Sequence, residues 1–125
     1  TLTGAARVAL GPDLPPFFTD DEALASEIAQ AGLALNDPLW RLPLWKPYAK
    51  NLGSKIADIN NVTTDGFAGS VTAALFLQGF VSKAKSWAHF DVFGWRPQGG
   101  PLGPAGGEAQ CIRALGKVLT ERYAR

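Results

Sequence analysis

An α/β layer is the fold class this sequence predicts, and three neighbouring stretches predict it. Residues 87–94, Trp-Ala-His-Phe-Asp-Val-Phe-Gly, are almost entirely apolar or aromatic. A chain of period two places Trp87, His89, Asp91 and Phe93 on one face and Ala88, Phe90 and Val92 on the other. Neither face is made for water, so the stretch predicts a buried strand in a sheet covered on both sides. Helix-like segments at residues 67–82 and 108–122 flank it, and helix, strand, helix in series is the pattern of an α/β layer.

Taken in order, the opening Thr1-Leu2-Thr3-Gly4 reads as the end of a strand that passes through a small-residue turn into a short helix stopped by Gly11. The bareness at Gly4 lets a backbone or a ligand come close. Pro12, Pro15 and Pro16 keep the following residues extended, and Phe17 and Phe18 suit a short strand. Thr19, with Glu22 three residues on, forms a capping box for a helix whose apolar stripe is Leu24, Ile28 and Ala31 and whose stop is Gly32. Residues 39–45 predict an ordered loop pinned by Trp40 and Trp45. Residues 46–52 predict a short helix ending at Gly53, and residues 55–59 a short extended piece before the turn at Asn60-Asn61. The helix over residues 67–82 is apolar nearly all round, which predicts a rod of about 24 Å buried against the sheet. Residues 98–107 carry five glycines and two prolines and lead into a last helix with Cys111, Leu115, Val118, Leu119 and Arg122 on one side. With no repeat and no internal boundary, residues 1–125 form one domain.

Composition narrows the function class mainly by exclusion. The chain is 46% hydrophobic with a formal charge of +1, ordinary for a globular protein and without the basic excess that attracts nucleic acid or anionic lipid. A single cysteine excludes an internal disulfide framework and fits a reducing compartment, so a cytoplasmic location is expected. The longest apolar run, residues 71–81, is shorter than the ~20 residues that span a bilayer. The chain starts at Thr1 and contains no methionine, which leads us to expect a piece of a longer protein.

Each candidate site has a plainer alternative. The glycines between Gly99 and Gly107 precede a helix, as in a phosphate cradle, but no lysine follows them and no strand immediately precedes them, which favours a flexible connector. His89 and Asp91 share a strand face and could bind a metal or relay a proton; one histidine is too little, and a buried, hydrogen-bonded His89 is the better reading. Cys111 reads as core within a helix rather than as a nucleophile. Asp58, beside Asn60 and Asn61, reads as local turn bonding.

Several blocks go further in combination. Thr1-Leu2-Thr3-Gly4-Ala5 with Val8-Ala9-Leu10-Gly11, then Leu39-Trp40-Arg41-Leu42-Pro43-Leu44 with Tyr48, Ala57-Asp58-Ile59-Asn60-Asn61, residues 68–77 (Ala-Gly-Ser-Val-Thr-Ala-Ala-Leu-Phe-Leu) and Trp87-Ala88-His89-Phe90-Asp91 follow one another in the order found in the leucine (cytosol) aminopeptidase family. The sequence resembles that family over essentially its whole length, at the C-terminal part of the catalytic domain. The resemblance implies a fragment of a three-layer α/β/α domain with a central mixed sheet. It implies a parent that removes N-terminal residues from peptides using two divalent metals, zinc or manganese, and assembles as a homo-oligomer, typically a hexamer.

By the same resemblance, the metal ligands and catalytic residues lie upstream, in the family's Asn-Thr-Asp-Ala-Glu-Gly-Arg signature and earlier lysines and aspartates, none of which this chain contains. What carries over is the substrate wall. Thr1, Leu2 and Gly4 match the segment whose backbone meets the bound peptide, and Phe93 and Arg96 match positions lining the side-chain pocket, where relatives carry small or flexible apolar residues. Gly106-Gly107-Glu108 also departs from the usual Thr-Gly-Arg before the last helix. The expected function is therefore the pocket wall and core of a leucyl-type aminopeptidase, with this chain alone inactive and metal-free. The alternative is a non-catalytic relative kept as a binding or assembly module, and the upstream carboxylates and lysines would discriminate the two.

Overall fold

The computed structural model describes residues 4–63 and 65–124. Residues 1–3, where the opening strand end is expected, lie outside the described residues. In chain order the elements are α1 (Ala5–Leu10), β1 (Pro16–Phe18), α2 (Glu22–Ala34), β2 (Trp40–Arg41), a 3-10 helix (Lys46–Leu52), α3 (Gly69–Gln78), β3 (His89–Phe90), β4 (Trp95–Arg96), β5 (Gly106–Gly107) and α4 (Ile112–Tyr123). A three-stranded mixed sheet has the order β2-β1-β3, with β1 parallel to β2 and antiparallel to β3. Strands β4 and β5 form a separate antiparallel ribbon.

The register of this sheet separates two layers. Phe17 lies opposite Phe90 and Phe18 opposite His89, each pair stacked with ring centroids 5.9 Å apart. Because strand neighbours point to opposite faces, Phe17 and Phe90 join one core with Ala25, Ile28 and Ala31 of α2, Ala114 and Val118 of α4, and Leu39. Asp91 follows the alternation onto the face of Phe18 and His89, and the Ser70 hydroxyl of α3 donates to it at 3.0 Å. Helices α2 and α4 thus cover one face and α3 the other, the α/β/α arrangement expected.

The main strand is not where the sequence suggests. The strand expected over residues 87–94 shrinks to β3, a half-buried edge of the described sheet, while β1, fully buried, is its centre. Pairing is limited at both ends: the Thr19 hydroxyl takes the Trp87 carbonyl at 2.6 Å, and after the Asp91 amide has donated to Pro16 at 3.1 Å, Gly94 at φ 64° turns the chain into β4.

Local signals fared unevenly. Gly11 and Gly53 end their helices. The cap of α2 is Asp21, whose carboxylate accepts the Leu24 amide at 3.0 Å; Thr19 lies two residues too early and Glu22 instead pairs with Arg41. Helix α2 runs past Gly32 to Ala34, and Gly32 serves close approach, since a Cβ there would lie 2.8 Å from the Asp37 carbonyl oxygen. The expected loop over residues 39–45 contains β2, bonded through the Trp40 amide to Pro15 and the Leu42 amide to Phe17. Residues 55–59 form bends rather than an extended piece. Helix α3 is confined to Gly69–Gln78, leaving Phe67 and Phe80 exposed outside it.

Candidate functional site

Two clefts lie where the chain reverses around residues 91–110. The smaller, about 30 Å³, is lined by Gly4, Arg7, Pro15, Asp91 and Phe93 among others. Gly4 is at φ 68°, a left-handed conformation that a residue without Cβ adopts freely, and it starts α1. Less than one turn into α1, Arg7 folds back over the cleft, where its guanidinium carbon sits 4.4 Å from the Phe93 ring centroid. A Cβ at Gly4 would come 3.3 Å from an Arg7 terminal nitrogen, so the guanidinium uses space that the glycine leaves open. Asp91 forms the inner wall and is only 6% exposed.

The larger cleft, about 410 Å³, is lined by Trp95, Arg96, Asp37, Glu108 and Arg113 among others. Arg96 is ion-paired to Glu108 across the β4–β5 ribbon. The structure therefore brings Gly4 and Phe93 together but puts Arg96 in the neighbouring cleft; Thr1 and Leu2 lie outside the described residues. Gln110 ties the two clefts together. It accepts the Gly94 amide at 3.0 Å and donates to the Pro12 carbonyl at 2.7 Å, fixing the turn after Phe93 against the exit of α1. Nothing in the local pattern of residues 108–111 marks Gln110 for this role, because its partners are distant in sequence.

Asp37 has no local sequence signal for its role either, since its partners lie more than seventy residues along the chain. Buried at the end of the α2–β2 turn, it accepts the Cys111 amide at 3.0 Å and the Ala114 amide at 3.1 Å, capping α4 from across the fold. Two of the amides that a phosphate would need, those of Cys111 and Ala114, are thus already taken by a carboxylate, and the glycine-rich stretch before them is folded into β5 and a bridge between Gly100 and Gly103. Cys111 is the residue preceding α4, at φ 70°, not a residue within a helix, and burial pushes its thiol up to about 12.

His89 and Asp91 do not act together as a ligand pair. His89 is sandwiched between Phe18 and Trp87, and burial lowers its pKa, with the Asp91 charge opposing. The hydrogen bond expected of it is missing at Nε2, which is buried without a partner among the described residues. Asp58 sits in the turn that the Asn60 side chain closes by donating to the Gly53 carbonyl at 2.5 Å. Among the described residues no three His, Cys, Asp or Glu side chains converge on a point, so they do not fit a di-metal centre.

Residues 1–115 match the cytosol aminopeptidase family, catalytic domain. A probable cytosol aminopeptidase of Nitratidesulfovibrio vulgaris is 44% identical over 124 residues, which is 97% of this chain and 24% of that protein. The crystal structure of the cytosol aminopeptidase from Coxiella burnetii superposes with a TM-score of 0.89 at 50% identity, covering 97% of this chain and 26% of that one. The bottromycin maturation enzyme BotP in complex with Mn superposes with a TM-score of 0.88 at 33% identity, over 96% of this chain and 27% of that one. The chain spans about a quarter of the length of such relatives. Matched by family over most of its length and by fold at high identity, this chain belongs to the cytosol aminopeptidase family.

Proposed function

We propose that this chain is the C-terminal part of the catalytic domain of a di-metal aminopeptidase, and that it supplies the wall of the substrate pocket rather than the metal ligands. The observation that carries this reading is the small cleft. A bare Gly4 backbone faces Phe93 across a space of about 30 Å³, room for a short side chain beside an extended peptide. Thr1, Leu2 and Gly4 would present backbone to the peptide's first residue, and Phe93 would close the end of its side-chain pocket. Arg96 would act from the adjoining cleft, bracing the ribbon after Phe93 through Glu108.

The two divalent ions, zinc or manganese, would be held by residues other than those described here. Bound there, they supply Lewis-acid polarisation of the peptide carbonyl and a nucleophilic water. The parent would be cytosolic and a homo-oligomer, hexameric by family resemblance. The test is release of N-terminal residues from alanyl and leucyl peptides by the full-length protein after loading with manganese or zinc. Metal-dependent turnover is expected, and no turnover with either ion would overturn the reading. Phe93→Ala should then raise the leucyl-to-alanyl ratio of kcat/KM about tenfold, since each buried methylene is worth ~0.8 kcal/mol. An unchanged ratio would remove Phe93 from the pocket.

A further inference from the structure

We propose that Arg7 is a specificity-determining residue that favours peptides whose first residue is acidic; this rests on the aminopeptidase reading of the cleft. Arg7 and Asp91 are the only charged side chains among the described residues lining that cleft. They are placed differently. Asp91 is withdrawn to 6% exposure and takes the Ser70 hydroxyl, whereas Arg7 is exposed at the mouth. Among the described residues no carboxylate pairs with Arg7, although most of the other arginines are paired: Arg41 with Glu22, Arg96 with Glu108, Arg113 with Asp37 and Arg122 with Glu27.

The guanidinium is nevertheless not loose in solvent. It is folded over Phe93 at 4.4 Å and against the missing side chain of Gly4, the two residues that the cleft brings together. An exposed guanidinium held by a ring face alone is weakly held. A carboxylate offers it a charge-assisted, two-point contact that water and the ring do not. The side chain of an N-terminal aspartate or glutamate that lies along the mouth of the cleft, rather than filling its depth, brings such a carboxylate to the exposed Arg7. Glutamine has the same shape without the charge, so the pair of substrates isolates the effect.

The experiment compares glutamyl-alanine with glutaminyl-alanine on the metal-loaded full-length protein, alongside Arg7→Gln and Arg7→Lys. The wild type is expected to prefer glutamyl by about tenfold in kcat/KM at low salt, the size of one good charge-assisted contact. Arg7→Gln should bring the ratio near one, Arg7→Lys should keep part of it, and added salt should shrink it. A ratio that is the same in the wild type and Arg7→Gln overturns the proposal. Calorimetric binding of free glutamate against free glutamine separates this outcome from failure of the aminopeptidase reading. If no peptide is turned over, that reading fails, and equal affinity for the two amino acids overturns the role of Arg7 as well, while a glutamate preference lost in Arg7→Gln sustains it.

Discussion

The two flanks of the central sheet are built to different standards. On the Phe17 face, α2 and α4 close a core in which Phe17, Ile28 and Ala114 are fully buried. On the opposite face, α3 packs on β3 and the 3-10 helix, but Phe67 is 82% and Ile56 98% exposed, with Val62 and Phe80 also in solvent. A cleft of about 350 Å³ opens there between Leu52, Val62, Thr72, Phe76 and Leu77. Apolar surface of that extent favours association with another chain, although α2 and α4 also leave Leu33, Ile112 and Leu119 exposed outside their core. The first flank holds the fold, and the second is expected to contribute little to stability and much to association.

The contrast can be broken most directly in the core. Phe17→Ala or Ile28→Ala should cost about 3–5 kcal/mol in denaturant unfolding, the range for deleting a large buried side chain; a loss under ~1 kcal/mol would mean that the α2–α4 face is not the stabilising one. Asp37→Ala should cost about 1–3 kcal/mol, because it leaves the Cys111 and Ala114 amides buried without acceptors, and Asp37→Asn should recover part of that. On the other face, His89 gives a pH signature. Its pKa is lowered from the ordinary 6.5 by burial, so the unfolded imidazole takes up a proton that the folded one resists. The stability it contributes is complete above 6.5 and is lost as pH falls through the folded value. Thermal midpoints measured from pH 7.5 down to about 5 should decline, and His89→Phe should flatten that part of the curve. The smallest effect on stability is expected for Phe67→Ser combined with Ile56→Ser, within about 0.5 kcal/mol. Yet the pair should reduce self-association of the 125-residue chain in light scattering at ~100 µM; equal association in variant and parent would show that this flank is not sticky.

The same division explains what the sequence revealed. Stops at Gly11 and Gly53 and the strand at Phe17 are decided within a few residues, and a linear pattern displays them. Apolarity at Phe67 and Phe80 reads as helix core, because hydrophobicity alone does not distinguish a residue buried in its own fold from one left for a neighbour. Residues 87–94 look like a central strand for the same reason, whereas their pairing is set by Thr19, Pro16 and Gly94. Thr19 and Asp21 are both good cap formers, and the choice between them was made by the carbonyl of Trp87, far along the chain. In the candidate site, the approachable turn at Gly4 is legible from the residue itself, whereas Phe93 is singled out only through the family resemblance. Arg7, Gln110 and Asp37 were not legible at all, since each acts on a partner at least seventy residues away.

The geometry at Cys111 has an experimental use. The lone thiol of the chain is 3% exposed, and burial pushes its pKa up to about 12, so at neutral pH very little of it is the thiolate that alkylating reagents attack. Released from the fold, the same group ionises near 8.5 and its reactive fraction rises to a few per cent. The sulfur is therefore a clock. Its labelling in native buffer follows any opening that exposes the Cys111 sulfur, and it can be read by mass spectrometry on the unmutated protein with no probe added.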